Sequence, residues 1–271
     1  EDSVNITGWT CNDTYKLTIR AGEDQDYPTI HDNDGDAYVI RVSSDYIRIT
    51  GLNIEERTSS GLDYCIHFND VNNVTVDDCI LDSAAPAGYN YCCNAKCNYL
   101  TIENCTLTGE YGIYQFYEAV QYTDIEISNC TFINLDYSSA KGSIYHDASS
   151  TYPTRKWYIH HNRFYNCAGD AAIYLEYLDD VEIYNNMIDI GGSWPREVYN
   201  IAGIYIYYIY NDAAQKSWIV NNTIYNVRSN LFGIYLDRMY YGQTYVINNI
   251  ITLDDGVGSS ATYGFYCLNI T

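Results

Sequence analysis

The sequence predicts an all-β solenoid, a single domain over residues 1–271 with about eight or nine coils. Three observations predict it. The stretch Asp124-Ile125-Glu126-Ile127-Ser128-Asn129-Cys130-Thr131-Phe132 recurs, and the equivalents of Ile127 are Ile49, Val76, Ile102, Ile159, Ile183, Ile219 and Val246. Successive anchors lie 27, 26, 25, 32, 24, 36 and 27 residues apart, a solenoid period lengthened in two places. Inside each copy apolar and polar residues alternate, which selects strand over helix. From the second copy onward, a Cys or an Asn stands three residues after each anchor. No helical segment follows the strand, so a leucine-rich repeat is excluded.

In chain order, residues 1–14 form a lead-in holding Trp9 and Cys11, and regular coils run from about 15 to 268. Residues 15–20 read as the first strand. The acidic loop 23–36 follows; its Asp32, Asp34 and Asp36 resemble part of a calcium loop but lack the spaced final Glu of an EF-hand. Calcium is the one cofactor suggested, and a solvated turn is the other reading. Residues 38–42 form a further strand. From Asp45 onward each coil carries two recognisable strands. The second of them reads Gly-Ile-Tyr or close to it, at Gly112, Ser143, Ala172, Gly203, Gly233 and Gly264, with Cys65-Ile66-His67 in an earlier coil. Insertions at 147–154, 191–200 and 208–215 fit solenoid corners.

Stacked coils place like residues about 4.8 Å apart. The Ile and Val columns then fill a continuous interior. The bend column reads Cys79, Cys105, Cys130, Asn162, Asn186, Asn222 and Asn249. Its asparagines predict an internal amide ladder that satisfies the turn's backbone groups. Its cysteines fit either one disulfide or a stack of free buried thiols. Tyr114, Tyr145, Tyr174, Tyr205, Tyr235 and Tyr266 alternate with inward residues and are expected to point outward. Two readings fit them: cross-strand stacking of a strand-favouring residue, or a flat aromatic stripe that meets sugar rings or a neighbouring subunit.

The Ile-x-Asn-Asn-x-Ile turn and the Gly-Ile-Tyr strand resemble those of the right-handed parallel β-helix superfamily, over roughly residues 15–268. The likeness is to repeats found in carbohydrate-binding and sugar-hydrolase modules and in periplasmic copper-maturation proteins. It implies the fold and hardly constrains the function. Pectinase-like hydrolases of this fold carry Asp clusters with Gly-His-Gly and Arg-x-Lys; neither motif is present here. Lyases of the fold pair calcium-binding acids with a basic residue. For such a role the sequence offers Asp179, Asp180 and Arg155, with Asp147, Asp170, Lys156 and Arg163 behind them. Asp at a turn before a strand is also expected for local reasons. Enzymatic activity is left open, the non-enzymatic reading being favoured.

Two further clusters bear on metals. His160 and His161 are adjacent on a strand, so their side chains are expected on opposite faces, unable to share an ion easily. Cys65, Cys92, Cys93 and Cys97 lack the repeated Cys-x2-Cys spacing of a zinc site and read as disulfide partners, as does Cys11.

Fourteen Lys and Arg stand against 35 Asp and Glu, a net charge of −21, which excludes the basic footprint of a nucleic-acid binder. No apolar run reaches membrane-spanning length. The first residue is Glu1, without Met or a signal peptide, and no capping helix can be read at either end. A processed or cropped chain, or ends covered by other subunits, is therefore expected. Ten cysteines and seven Asn-x-Thr sequons, at Asn5, Asn12, Asn73, Asn104, Asn129, Asn221 and Asn269, point outside the cell. Together with 32 tyrosines, these features lead to a secreted or cell-surface glycoprotein that pairs with copies of itself in a filament or surface layer. The alternative is a carbohydrate-active or carbohydrate-binding β-helix, such as a lyase, hydrolase, adhesin or viral spike, with a polysaccharide as partner.

Overall fold

The computed structural model describes residues 4–9, 11–12, 16–21, 27–32, 37–57, 62–83, 89–109, 111–115, 123–133, 135, 142–147, 154–167, 170–190, 201–210, 216–227, 231–240, 242–253 and 263–270. Among them every regular element is a strand. The strands make one eighteen-stranded and one nine-stranded sheet. Neighbours in both sheets are parallel and come from successive coils, as at Thr123–Ser128 on Thr154–His160 and Thr131–Ile133 on Arg163–Tyr165. Each coil contributes two segments to the larger sheet and one to the smaller.

The anchor residues pile up in one line. Ile49 pairs with Val76, and the column continues through Ile102, Ile127, Ile159, Ile183, Ile219 and Val246. From Ile49 to Ile219 these side chains are fully buried, and Val246 packs against the same core. Each such burial contributes about 1.5–3 kcal/mol. The smaller sheet supplies the facing column, Ile54, Leu81, Leu107, Phe132, Phe164, Ile188 and Ile224. Within it the Phe132 and Phe164 rings stack with centroids 4.6 Å apart.

The Gly-Ile-Tyr strand departs from simple alternation. Ala172 and Ile173 both lie in the main core, whereas Ala171 and Tyr174 belong to a separate outer cluster. Two consecutive inward residues mean that the chain bends there, and the first of the pair meets the smaller sheet. That position must be small: a Cβ on Gly203 would come within 2.7 Å of Ile224 Cγ2 and 2.9 Å of the Gly233 carbonyl oxygen.

A second corner depends on a left-handed residue. Asp78, Asn104, Asn129, His161, Asn185, Asn221 and Asn248 have φ between 52° and 58°, one per coil. Asn and Asp tolerate this region better than other side chains, which accounts for their recurrence just before the ladder residue. His161 is the exception in the column.

Behind that corner the ladder asparagines bond coil to coil. Asn162 Nδ2 donates to Asn186 Oδ1 at 3.1 Å and to the Ile127 carbonyl at 2.9 Å, and Asn162 N donates to the same Asn186 Oδ1 at 3.0 Å. Asn186 repeats the pattern with Asn222 and Ile159, and Asn222 with Asn249 and Ile183. The cysteines of the earlier coils contact the equivalent carbonyls more loosely: Cys130 Sγ lies 3.5 Å from Ile102 O and Cys105 Sγ 3.7 Å from Val76 O.

The bridges expected of the cysteines are absent. Cys11, Cys65, Cys79, Cys92, Cys93, Cys97, Cys105 and Cys130 are free thiols, as are Cys167 and Cys267. Eight of the ten are buried. The inward bend and the ladder both call for a small side chain, and a thiol fills them as an apolar group. Burial pushes the Cys93 and Cys97 thiols well above their ordinary range, and Cys167 up to about 12. None of these three is poised as a thiolate.

Candidate functional site

The outer surface of the larger sheet changes character along the solenoid. In the earlier coils its two outward columns carry short or charged polar residues: Arg48, Thr75 and Thr101 in one, and Thr50, Asp77 and Glu103 in the other. From Glu126 the first column reads Glu126, Tyr158, Glu182, Trp218, Tyr245, and the second Ser128, His160, Tyr184, Val220, Ile247. Five coils at about 4.8 Å spacing make a patch about 19 Å long.

Aromatic rings and titratable groups alternate on this patch. Trp218 and Tyr245 stack at 4.2 Å with planes 14° apart, and His160 stacks on Tyr184 at 4.6 Å and 9°. The Lys216 ammonium sits 5.8 Å from the centre of the Tyr245 ring. Along one margin, Lys156 Nζ lies 3.4 Å from Asp124 Oδ1, and Asp180 occupies the next coil. Asp124 draws the Lys156 ammonium upward. Partial burial raises the Asp180 and Glu182 carboxyls, with Asp124 adding to the first and Asp180 to the second. Tyr158 and Tyr184 are raised mainly by burial.

His160 and His161 do not point apart. The left-handed conformation of His161 (φ 58°) interrupts the alternation, and the two Nδ1 atoms come within 2.9 Å. His160 Nε2 is 3.2 Å from Glu126 Oε1, and His161 Nε2 is 3.1 Å from Asn185 Nδ2. Burial lowers the His160 pKa against the opposing pull of Glu126. Strand periodicity alone misses this pair. The signal that finds it is that His161 stands where neighbouring coils carry left-handed Asn129 and Asn185.

The catalytic candidates Asp179, Asp180 and Arg155 fall at the same corner. Asp179 is 3% exposed, so its carboxylate is withdrawn from the surface. Asp180 is left-handed (φ 62°) and stands in the column of Lys156 and Asp124. The backbone of Arg155 pairs with Asp179; its side chain lies outside the described residues. So do Asp34, Asp36 and the side chain of Asp32, the calcium candidates.

The tyrosine column lies outside the main core but is no flat exposed stripe. Tyr114, Tyr145, Tyr174, Tyr205, Tyr235 and Tyr266 pack ring against ring at 4.6, 5.2, 4.6, 4.9 and 5.2 Å, the first two contacts tilted and the last three stacked. Tyr145, Tyr174 and Tyr235 are buried, at 1%, 9% and 6% exposure. Small residues beside them, Gly142, Ala171 and Ala202, let the rings lie down against the sheet. The stack also runs further than the Gly-Ile-Tyr motif shows, through Tyr91 to Tyr64 at 4.6 and 5.2 Å. Tyr145 and Tyr174 direct their hydroxyls to Asp147 and Glu176.

Of the sequon asparagines, Asn5, Asn12, Asn104, Asn129 and Asn221 are exposed and Asn73 is half-buried. The side chain of Asn269 lies outside the described residues. Asn73, Asn104, Asn129 and Asn221 are all left-handed, so each also has a local reason to be Asn. No helix among the described residues is long and apolar enough to cross a membrane.

No curated protein matches the chain. Residues 90–269, about two thirds of it, match the family described as right handed beta helix region, and they contain six of the nine strands of the smaller sheet. With parallel coils stacked in register on both sides of that boundary, the chain belongs to the right-handed β-helix family.

Proposed function

We propose that this chain is a secreted β-helix that binds an extended polysaccharide along the outer face running from Glu126 to Tyr245. One observation carries the reading: aromatic rings, carboxylates and imidazoles share a single row of coils, with Tyr158, Glu182 and Trp218 directly in register. The apolar rims of the stacked pairs Trp218–Tyr245 and His160–Tyr184 offer contact to the C–H groups of sugars, and adjacent carboxylates and imidazoles meet their hydroxyls. The length of the patch suits an oligosaccharide rather than a single sugar. A net charge of −21 disfavours acidic polymers, so neutral or amino-sugar polysaccharides are the fitting class. Affinity electrophoresis against acidic, neutral and amino-sugar polysaccharides tests this. Retention by a neutral or amino-sugar polymer, weakened about tenfold by Trp218→Ala, is expected; a chain that no polymer retards refutes it.

A structural glycoprotein that assembles with copies of itself into a filament or surface layer is the second reading. It is favoured by the five exposed sequon asparagines. Light scattering of the purified glycoprotein separates the two. Growth of particles with concentration supports assembly, and a monodisperse monomer removes it.

A further inference from the structure

We propose that His160 and His161 form a binding site for a divalent first-row transition ion, held through the two Nδ1 atoms. The pair lies on the outer face proposed above for polysaccharide but stands without that reading, since it rests on the imidazole geometry alone.

The ring contacts fit a single assignment of protons. Asn185 Nδ2 donates to His161 Nε2 at 3.1 Å, which leaves the His161 proton on Nδ1. That N–H points at His160 Nδ1, 2.9 Å away, which must then be the unprotonated nitrogen. The His160 proton is thereby on Nε2, donated to Glu126 Oε1 at 3.2 Å. A ligating histidine is commonly arranged as His160 is, with one nitrogen bare and the other anchored on a carboxylate.

The spacing bears on the geometry. Two ligands at about 2.0–2.1 Å from an ion lie about 2.9 Å apart when they subtend a right angle, and about 3.4 Å apart in a tetrahedron. The observed 2.9 Å is the hydrogen-bonded spacing of the ion-free pair. It lies nearer the separation at a tetragonal or octahedral ion, so the rings need turn but not part to take Cu2+ or Ni2+, and must part further for tetrahedral Zn2+. On binding, the His161 proton moves from Nδ1 to Nε2 and the Asn185 amide turns to present its oxygen, so the neutral pair loses no proton. Among the described residues no third His, Cys, Asp or Glu completes a ligand group. The remaining positions are open to water or to a hydroxyl or carboxylate of a bound molecule.

The neighbouring coils supply substitutions that the fold already accepts. His160→Ser restores the residue of the preceding coil, Ser128, and His161→Asn restores the left-handed Asn of Asn129 and Asn185. Calorimetric titration of the full chain with Cu2+, Ni2+ and Zn2+ chlorides is the test, together with the paramagnetic resonance spectrum of the Cu2+ form. One ion per chain with two-nitrogen coupling, tightening from Zn2+ to Ni2+ to Cu2+, is expected. Each histidine substitution should weaken it at least tenfold, and Glu126→Gln by about tenfold. If the folded double variant binds these ions as the unaltered chain does, or the unaltered chain binds none, the site is refuted and the pair is only a hydrogen-bonded relay. Polysaccharide retention is unaffected by that outcome, so the two proposals fail separately.

Discussion

The coils with cysteine at the bend and those with asparagine share a fold and differ in how they are bolted together. In the asparagine coils every ladder amide donates to the coil before it and accepts from it, at 2.8–3.1 Å. In the cysteine coils the thiol still reaches the preceding carbonyl, at 3.5–3.8 Å. It also meets the backbone N–H of the coil before and the neighbouring thiols, but through sulfur, a weaker donor and acceptor than an amide. A neutral, weakly polar thiol fills the space and makes the same kinds of contact less strongly. The outer face changes within one coil of that boundary: Thr75 and Thr101 give way to Glu126, in the last cysteine coil, and then to Tyr158, Glu182 and Trp218. The better-bonded half carries the surface with chemistry on it, where a site benefits from a rigid support.

The largest effect should come from cutting the ladder. Asn186→Ala removes the acceptor of the Asn162 amide and backbone N–H and the donor to the Ile159 carbonyl, all buried. Leaving those groups unpaired should cost about 3–5 kcal/mol, read as a lowered denaturant midpoint. Cys105→Ala removes a thiol whose contacts, to the Glu103 and Val76 carbonyls and to Cys79 and Cys130, are weak sulfur hydrogen bonds, and should cost about 1 kcal/mol. Equal losses would show that the two ladders are equivalent.

A pH effect should appear where the two halves meet. His146 is fully buried, its ring 5.0 Å from Trp157, and neither of its nitrogens has a hydrogen-bond partner among the described residues. Burial lowers its pKa to about 3 from an ordinary 6.5. Below 6.5 the unfolded chain takes up a proton that the folded chain refuses, so stability is complete above about pH 6.5 and falls toward pH 3, by up to about 1.4 kcal/mol per unit. Half-buried His67, lowered to about 4, acts in the same direction. Denaturation midpoints from pH 7 to 4 should fall less steeply in His146→Leu than in the unaltered chain. The smallest stability effect expected is a gain: Cys130→Asn extends the ladder by one coil, adding an amide donor to Asn162 Oδ1, and should raise stability by about 1 kcal/mol.

Much of this was legible in the sequence because a solenoid repeats its instructions. Ile127 and its equivalents announce the core column, and Asn162, Asn186, Asn222 and Asn249 announce a bend that needs an amide. The outer face was not legible. Tyr158, Glu182 and Trp218 become neighbours only through coils of different length, and no local motif joins them. His160 and His161 were misplaced because alternation assumes extended backbone, and His161 is left-handed. The tyrosine motif leaves stacking and an exposed stripe both open, because it says nothing of Ala171 and Ala202, the small neighbours beside the rings.

The most direct measurement compares the two halves as binding surfaces. Once a retained polysaccharide is in hand, its dissociation constant is measured for Trp218→Ala on the asparagine half and Arg48→Ala on the cysteine half. About a tenfold weakening in the first and no change in the second is expected. Equal weakening in both, or none in either, would contradict the assignment of the binding face to the asparagine coils.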